Sequence, residues 1–151
     1  MARVDPATSL APLWAARMGG TGPDVVTGMG TTSTGDVLVA GSFQRTTTGV
    51  AALTASGTST DLFLLELDGA TGALRFGAPT AADKLGDPVF YGDEALQTAD
   101  ALAVNRWGTG SAQDHFAFSG TLNGTADFPA PAGRVTASGV TDVLLVVGGV
   151  Q

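Results

Sequence analysis

An all-β chain built from one supersecondary unit written twice is what the sequence predicts, and three observations carry that expectation. The run Gly35-Asp36-Val37-Leu38-Val39-Ala40-Gly41-Ser42-Phe43, followed by Thr60-Asp61-Leu62-Phe63-Leu64-Leu65, returns as Asp114-His115-Phe116-Ala117-Phe118-Ser119-Gly120-Thr121-Leu122, followed by Thr141-Asp142-Val143-Leu144-Leu145. The 22 glycines, with abundant Thr, Ser and Val, favour strands joined by tight turns over helices. Residues 37–43 and 62–67 are apolar almost throughout. A continuous run of that length indicates a strand buried on both faces, because a sheet with one wet face alternates apolar and polar residues.

Residues 1–9 read as a flexible lead containing Pro6. Residues 10–18 form a short strand or helix, and Pro12 argues against a helix interior. Gly19-Gly20-Thr21-Gly22-Pro23-Asp24 is a turn cluster. Residues 25–32 follow as a strand, weakened by Gly28 and Gly30. Ser33-Thr34-Gly35-Asp36 is a hairpin turn into the strand at 37–43. Residues 44–60 are a polar loop with room for an edge segment, and 61–67 are the next strand. Asp68-Gly69-Ala70-Thr71-Gly72 is a hairpin signal, after which 73–77 return as a short outer strand. The second half repeats the order, with strands at 99–105, 115–122 and 142–147 and a loop rich in Gly, Ala and Pro at 123–139.

The spacing between copies locates an insertion. Gly120 lies 79 positions after Gly41, and Asp142 lies 81 after Asp61. Trp14 in Pro-Leu-Trp-Ala matches Phe76 in Leu-Arg-Phe-Gly at only 62. The difference is an insertion of roughly 17 to 19 residues between units, as loop variation between repeats allows. Residues 80–98 fit it. The organisation expected is therefore a lead over 1–9 and, over 10–79, a strand completing a neighbouring unit plus the first unit. An inserted loop over 80–98 and a second unit over 99–151 without its own outer strand follow. Four-stranded sheets covered on both sides are what a β-propeller blade requires, and a β-sandwich of similar strand count is the alternative.

The composition sets limits on partners. Seven Lys and Arg against 14 Asp and Glu give a net charge of −7. That field repels phosphate backbones and anionic lipid, so neither nucleic acid nor a membrane is an expected partner. Cysteine is absent, which excludes disulfides and thiolate metal sites and leaves the redox compartment undetermined. Residues 1–18 make a poor signal peptide, and no window has the length of a membrane span.

Gly-Gly-Thr-Gly-Pro-Asp at 19–24, the Gly-Asp-Val-Leu-Val-Ala-Gly-Ser-Phe stretch, Asp-Leu-Phe-Leu-Leu-Glu-Leu-Asp at 61–68 and the Gly-Ala-Leu-Arg-Phe ending at 72–76 resemble the SBBP-type, seven-bladed β-propeller repeat family. The resemblance covers one unit over 14–76 and a degenerate second unit over 99–147. The second copy lacks the charged, turn-forming finish that Glu66-Leu67-Asp68-Gly69 gives the first. The resemblance implies a bacterial repeat protein of the cell surface or extracellular space, with an interaction role and no common active site. Propellers close with roughly 4–8 blades, and this chain encodes about two. A ring then takes about three or four copies of the chain, or neighbouring blades of a longer array. The expected function is a non-enzymatic binding or scaffold module that self-assembles and presents loops to a glycan or protein. A structural spacer without a ligand of its own is the alternative.

Candidate sites follow from that frame. Phe90 and Tyr91 in the insertion and Trp107 in the loop after 99–105 are the candidate ligand-binding aromatics, because loop aromatics stack on sugar faces or anchor partners. Gly41, Asp61, Gly120, Asp142, Trp14 and Phe76 are structural repeat positions, with the aspartates bonding backbone at strand starts. His115, the single histidine, aligns with Asp36 at a strand edge and is expected to be exposed or hydrogen-bonded. No catalytic group, metal site or cofactor is expected: no Ser-His-Asp order is present, and no acidic run has the alternating spacing of a calcium loop.

Overall fold

The computed structural model describes residues 2–4, 12–55, 57–75, 89–91, 96–105, 114–127 and 134–150. The strands in chain order are β1 (Ala2–Val4), β2 (Pro12–Ala15), β3 (Met18–Gly20), β4 (Asp24–Thr31), β5 (Val37–Gln44), β6 (Thr47–Gly49), β7 (Thr60–Leu67), β8 (Val89–Tyr91), β9 (Gln97–Asn105), β10 (Asp114–Leu122), β11 (Thr125–Asp127), β12 (Arg134–Thr136) and β13 (Asp142–Val150). There is no helix among the described residues. The all-β expectation is met.

Two antiparallel sheets dominate. The first has four strands in the order β4-β5-β7-β8, and the second has three in the order β13-β10-β9. Three two-stranded pairs, β1-β2, β3-β6 and β11-β12, lie outside them. The turns predicted at Gly35 and Gly72 close their hairpins, with both glycines at positive φ (90° and 73°), a region that residues with a Cβ seldom enter.

Several expectations are refined. Of the outer strand expected at 73–77, residues 73–75 are described. There, Leu74 makes an isolated bridge to Leu67, and Arg75 N–H donates to the Glu66 carbonyl at 3.0 Å. The edge opposite Leu62, Phe63 and Leu64 is taken by β8, whose residues Tyr91, Phe90 and Val89 pair with them. Phe90 and Tyr91 therefore lie on an edge strand, not in a loop. A β-branched residue followed by two aromatics favours a pleated, half-buried surface over a free loop. The lead is not wholly without structure, since Ala2–Val4 pairs with Pro12–Ala15; Pro12 sits at a strand terminus, where its missing N–H costs no ladder bond. Within residues 10–18, expected as one strand or helix, the described part holds β2 and the start of β3: β2 pairs with β1, and β3 pairs with β6. The loop over 123–139 holds a further short pair, Thr125–Asp127 with Arg134–Thr136.

The repeat holds at the level of backbone geometry. In β4 against β5 the register slips between Val26 and Gly28, and in β9 against β10 it slips opposite Ser119 and Gly120. The bulged residues are Thr27 and Asp100. Gly41 and Gly120 stand at the same place beside them. A Cβ on Gly41 would lie 2.1 Å from the Val25 carbonyl oxygen, and one on Gly120 would lie 2.0 Å from that of Thr98. The recurring glycine is thus required by the bulge, which brings the neighbouring backbone too close for any side chain.

Each sheet has two faces, called forward and rear here. On the first sheet, Leu38, Ala40, Leu62 and Leu64 face forward and form one buried cluster with Ala99, Phe116, Phe118, Leu122 and Leu144 of the second. The rear face of the first sheet carries Val37, Val39, Phe43, Phe63, Leu65 and Leu67, which pack with Ala51, Leu53 and Ala55 of the following segment and with Trp14 and Met18. Strands 37–43 and 61–67 are buried throughout, so both faces are covered, as their unbroken apolar runs predict. Each fully buried Leu or Phe contributes about 1.5–3 kcal/mol relative to exposure. Asp114 ties the sheets at one end: its carboxylate accepts from Ser33 N–H in the turn between β4 and β5.

The sense of the stacking is the main architectural finding. By the repeat spacing, Val37, Val39, Phe43, Phe63 and Leu65 correspond to Phe116, Phe118, Leu122, Leu144 and Val146. The forward face of the first sheet therefore packs on the rear face of the second. The two equivalent units are stacked in one direction, not face to matching face.

Candidate functional site

Three places on the described surface carry chemistry or unusual shape. The first is a polar cluster at one end of the first sheet. Asp36 is placed there by the turn that starts β5, and Arg75 by the turn that follows β7. Asp36 is only 3% exposed. Its carboxylate accepts from the Thr34 hydroxyl at 2.8 Å, from Gly69 N–H at 3.0 Å and from the Arg75 guanidinium. Arg75 also approaches Glu66 at 3.8 Å and Asp68 at 3.9 Å. A recess of about 350 Å³ lies beside the cluster, lined by Leu13, Thr34, Asp36, Gly69 and Arg75 among others. Asp68 closes the turn after β7: its Oδ1 accepts from Ala70 N–H, Thr71 N–H and the Thr71 hydroxyl at 2.8–3.0 Å. The bonds from Thr71, backbone first, hold its carboxyl below the usual carboxylate value of 3.8.

This cluster is structural. The guanidinium lies among three carboxylates, and Asp36, the most deeply buried of them, is engaged by three donors. Replacing Asp36 by alanine strands Gly69 N–H and removes the closest partner of Arg75. The expected loss is about 1–3 kcal/mol of folding stability, the range for bonds to a charged group, with Asp36→Asn losing less because it can still accept from Gly69. Urea denaturation of the two variants beside the wild type measures it.

The second place is a pocket of about 310 Å³ on the rear face of the first sheet. Its bed is Val39, Phe63 and Leu65, its rim Met18, Val26 and Val50, and Arg17 and Asp24 are its charged members. Asp24 is oriented by Gly20, whose N–H donates to Oδ2 at 2.9 Å.

The third is the forward face of the second sheet. Val143, Leu145 and Val147 of β13 are 88%, 69% and 67% exposed. Their cross-strand neighbours are Thr121, Ser119 and Ala117 of β10, and Ala101 and Ala103 of β9 pair in turn with Ser119 and Ala117. The result is a broad apolar surface with a ridge of branched side chains along one side and small residues along the other.

The positions singled out by sequence fall as follows. Asp142 accepts from Ser138 N–H at 2.8 Å and from its hydroxyl at 3.2 Å, the backbone bond expected at a strand start. Asp61 is fully buried and accepts from the Ser59 hydroxyl at 3.0 Å. Trp14 is half-buried, donates its indole N–H to the Gly69 carbonyl at 3.0 Å, and packs against the rear cluster. Its ring lies over Gly72, where a Cβ would come within 2.6 Å. His115 is exposed on β10, opposite Asn105 and Gly149. Phe90 and Tyr91 occupy β8. Phe76 and Trp107 lie outside the described residues. No group of three His, Asp or Glu side chains among the described residues is placed to hold a metal ion.

Sequence reasoning named none of the three places. The Asp36–Arg75 pair had a signal, since an Asp directly before one strand and an Arg directly after the next hairpin fall at the same sheet end in a meander. The ridge had one too: in 142–147 the apolar run continues through Val146-Val147, where the first unit has Leu65-Glu66. Compared with protein-family models, curated proteins and solved structures, the chain finds no match in any of the three.

Proposed function

We propose that this chain is a non-enzymatic β-propeller binding or scaffold module, in which stacked blades of several copies form a ring and loops on one ring face meet a glycan or protein partner. The observation that carries the reading is the one-directional stacking of two equivalent sheets. A closed β-sandwich turns its two outer faces to water and makes them polar. Here the outer face of the second sheet bears Val143, Leu145 and Val147, which is what a stack that continues would leave at its end. Enzymatic function has no support in the polar cluster, whose groups are engaged with one another. The binding role rests on aromatics at Phe90, Tyr91 and Trp107, and no cofactor enters it.

The decisive measurement is molar mass by light scattering across a concentration series. A ring-forming module gives a discrete multiple of the 15.0 kDa chain, three or four copies being the expectation for about two blades each. A monodisperse monomer at every concentration overturns the reading. A glycan array and an affinity pull-down with the assembled protein then test the binding role, with Tyr91→Ala on the β8 edge and Trp107→Ala as the variants expected to lose the signal.

A further inference from the structure

Resting on the assembly reading above, we infer that two specific surfaces meet between copies: the Val143–Leu145–Val147 ridge of one chain meets the exposed Val26 side of the pocket over Val39, Phe63 and Leu65 of the next. The occupant of both surfaces is a second copy of this chain, joined head to tail. The argument is that the chain already contains this interface once, inside itself.

Within the chain, Leu62 and Leu64 of the first sheet lie against Phe118 and Leu144 of the second. The repeat spacing carries Leu62, Leu64 and Glu66 onto Val143, Leu145 and Val147, so the exposed ridge is the equivalent of the covered forward face. The same spacing carries Phe118, Leu144 and Val146 back onto Val39, Phe63 and Leu65, which are the bed of the pocket. The free forward face and the rear face are thus equivalent to the two halves of a contact the chain makes internally; residues 51–55, Trp14 and Met18 already cover the bed of the rear half, and its exposed part is the β4 side, where Val26 and Met29 are 54% and 51% exposed.

The edge where β4 meets β9 repeats the logic. Inside the chain, Gly28 and Gly30 leave room for Leu102 and Val104, since a Cβ on either glycine would lie within 2.6 Å of those side chains. The register places Ala101 and Ala103 where Gly28 and Gly30 stand, and Met29 and Thr31 where Leu102 and Val104 stand. Ala101 and Ala103 are exposed, and Met29 is 51% exposed. Small residues on the free forward face await a larger side chain, and Met29 on the rear face lacks one to cover it. Glu66 is replaced at the equivalent ridge position by Val147, which makes the ridge more apolar than its buried counterpart. A contact between two different patches is heterologous and closes into a ring or continues as a filament.

Complementation tests this directly. Leu145→Lys spoils the ridge and leaves the pocket, while Val26→Lys spoils the pocket rim and leaves the ridge. Both sites are exposed in the single chain, so folding is expected to change little, and circular dichroism with thermal melts confirms that each variant is folded. The wild type is expected to run above 15.0 kDa and each variant alone at the single-chain mass. An equimolar mixture is expected to give a two-chain species and nothing larger, because the one intact ridge meets the one intact pocket and both remaining ends are blocked. An oligomeric wild type whose mass either variant leaves unchanged overturns the surface assignment while the assembly reading stands. Variants that dissociate but do not recombine on mixing overturn the head-to-tail pairing. A wild type that is monomeric throughout overturns both.

Discussion

Replacing Gly41 with alanine is expected to destabilise the chain by about 3 kcal/mol, at the upper end of what overpacking costs. The added methyl would meet the Val25 carbonyl oxygen at 2.1 Å and the Phe63 ring at 2.5 Å. The first of these is backbone held in a ladder, which cannot swing aside as a side-chain tip does. Relief requires undoing the bulge at Thr27 or pushing Phe63, one of the fully buried rings, out of the rear cluster. Gly120→Ala meets the same backbone obstacle, at 2.0 Å from the Thr98 carbonyl oxygen, with no ring among its nearest atoms. The ordering expected in urea denaturation is therefore wild type, then Gly120→Ala, then Gly41→Ala as the least stable. A Gly41→Ala midpoint equal to the wild type would mean that the bulge is absent in solution.

Truncating Phe118 to alanine is expected to cost about 3–5 kcal/mol, the range for removing a buried aromatic. Phe118 is 2% exposed and sits between the sheets among Leu38, Leu62, Leu64 and Leu144. Its ring lies parallel to that of Phe116, with centroids 6.5 Å apart. A domain of this size has total stability of roughly 5–15 kcal/mol, so this one change removes a large share of it. The internal control is on β13. Leu144 and Leu145 are adjacent, yet 4% and 69% exposed. At a concentration where the chain is single, Leu144→Ala should lower the melting temperature strongly and Leu145→Ala hardly at all. Equal effects would mean that the second sheet is turned over relative to the first.

Strands with a two-sided apolar run were legible in the sequence because burial on both faces leaves no alternative for residues 37–43 and 61–67. The hairpins at Gly35 and Gly72 were legible because positive φ narrows the choice of residue. The repeat at Gly41 and Gly120 was visible as a pattern, but its cause, a bulge that brings a carbonyl within 2.1 Å of the missing Cβ, required backbone geometry. The fourth strand of the first sheet was assigned to 73–77 because a turn normally returns to its partner. In the fold the two candidates share one edge: Leu74 opposes Leu67, and 89–91 oppose 62–64. No local signal shows that 89–91 join that edge. The polar cluster had only a positional signal: Asp36 and Arg75 are far apart in sequence, and the meander has to be assumed before they come within reach. Of the candidate aromatics, Phe90 and Tyr91 were read as loop residues because the insertion interrupts the repeat. The triplet Val89-Phe90-Tyr91 carried the opposite message in its own propensity.

One consequence concerns the order β13-β10-β9. It leaves β13 on the outside of its sheet, with a row of backbone donors and acceptors that no strand covers among the described residues. Nine residues long, without proline and with Asp142 as its single charge, this strand has the composition from which cross-β fibrils grow. Storage at high concentration therefore selects between two fates for the same segment: ordered assembly through its side chains, or irreversible templating through its amides. A lysine or proline placed on that outer row would favour the first by closing the route to the second.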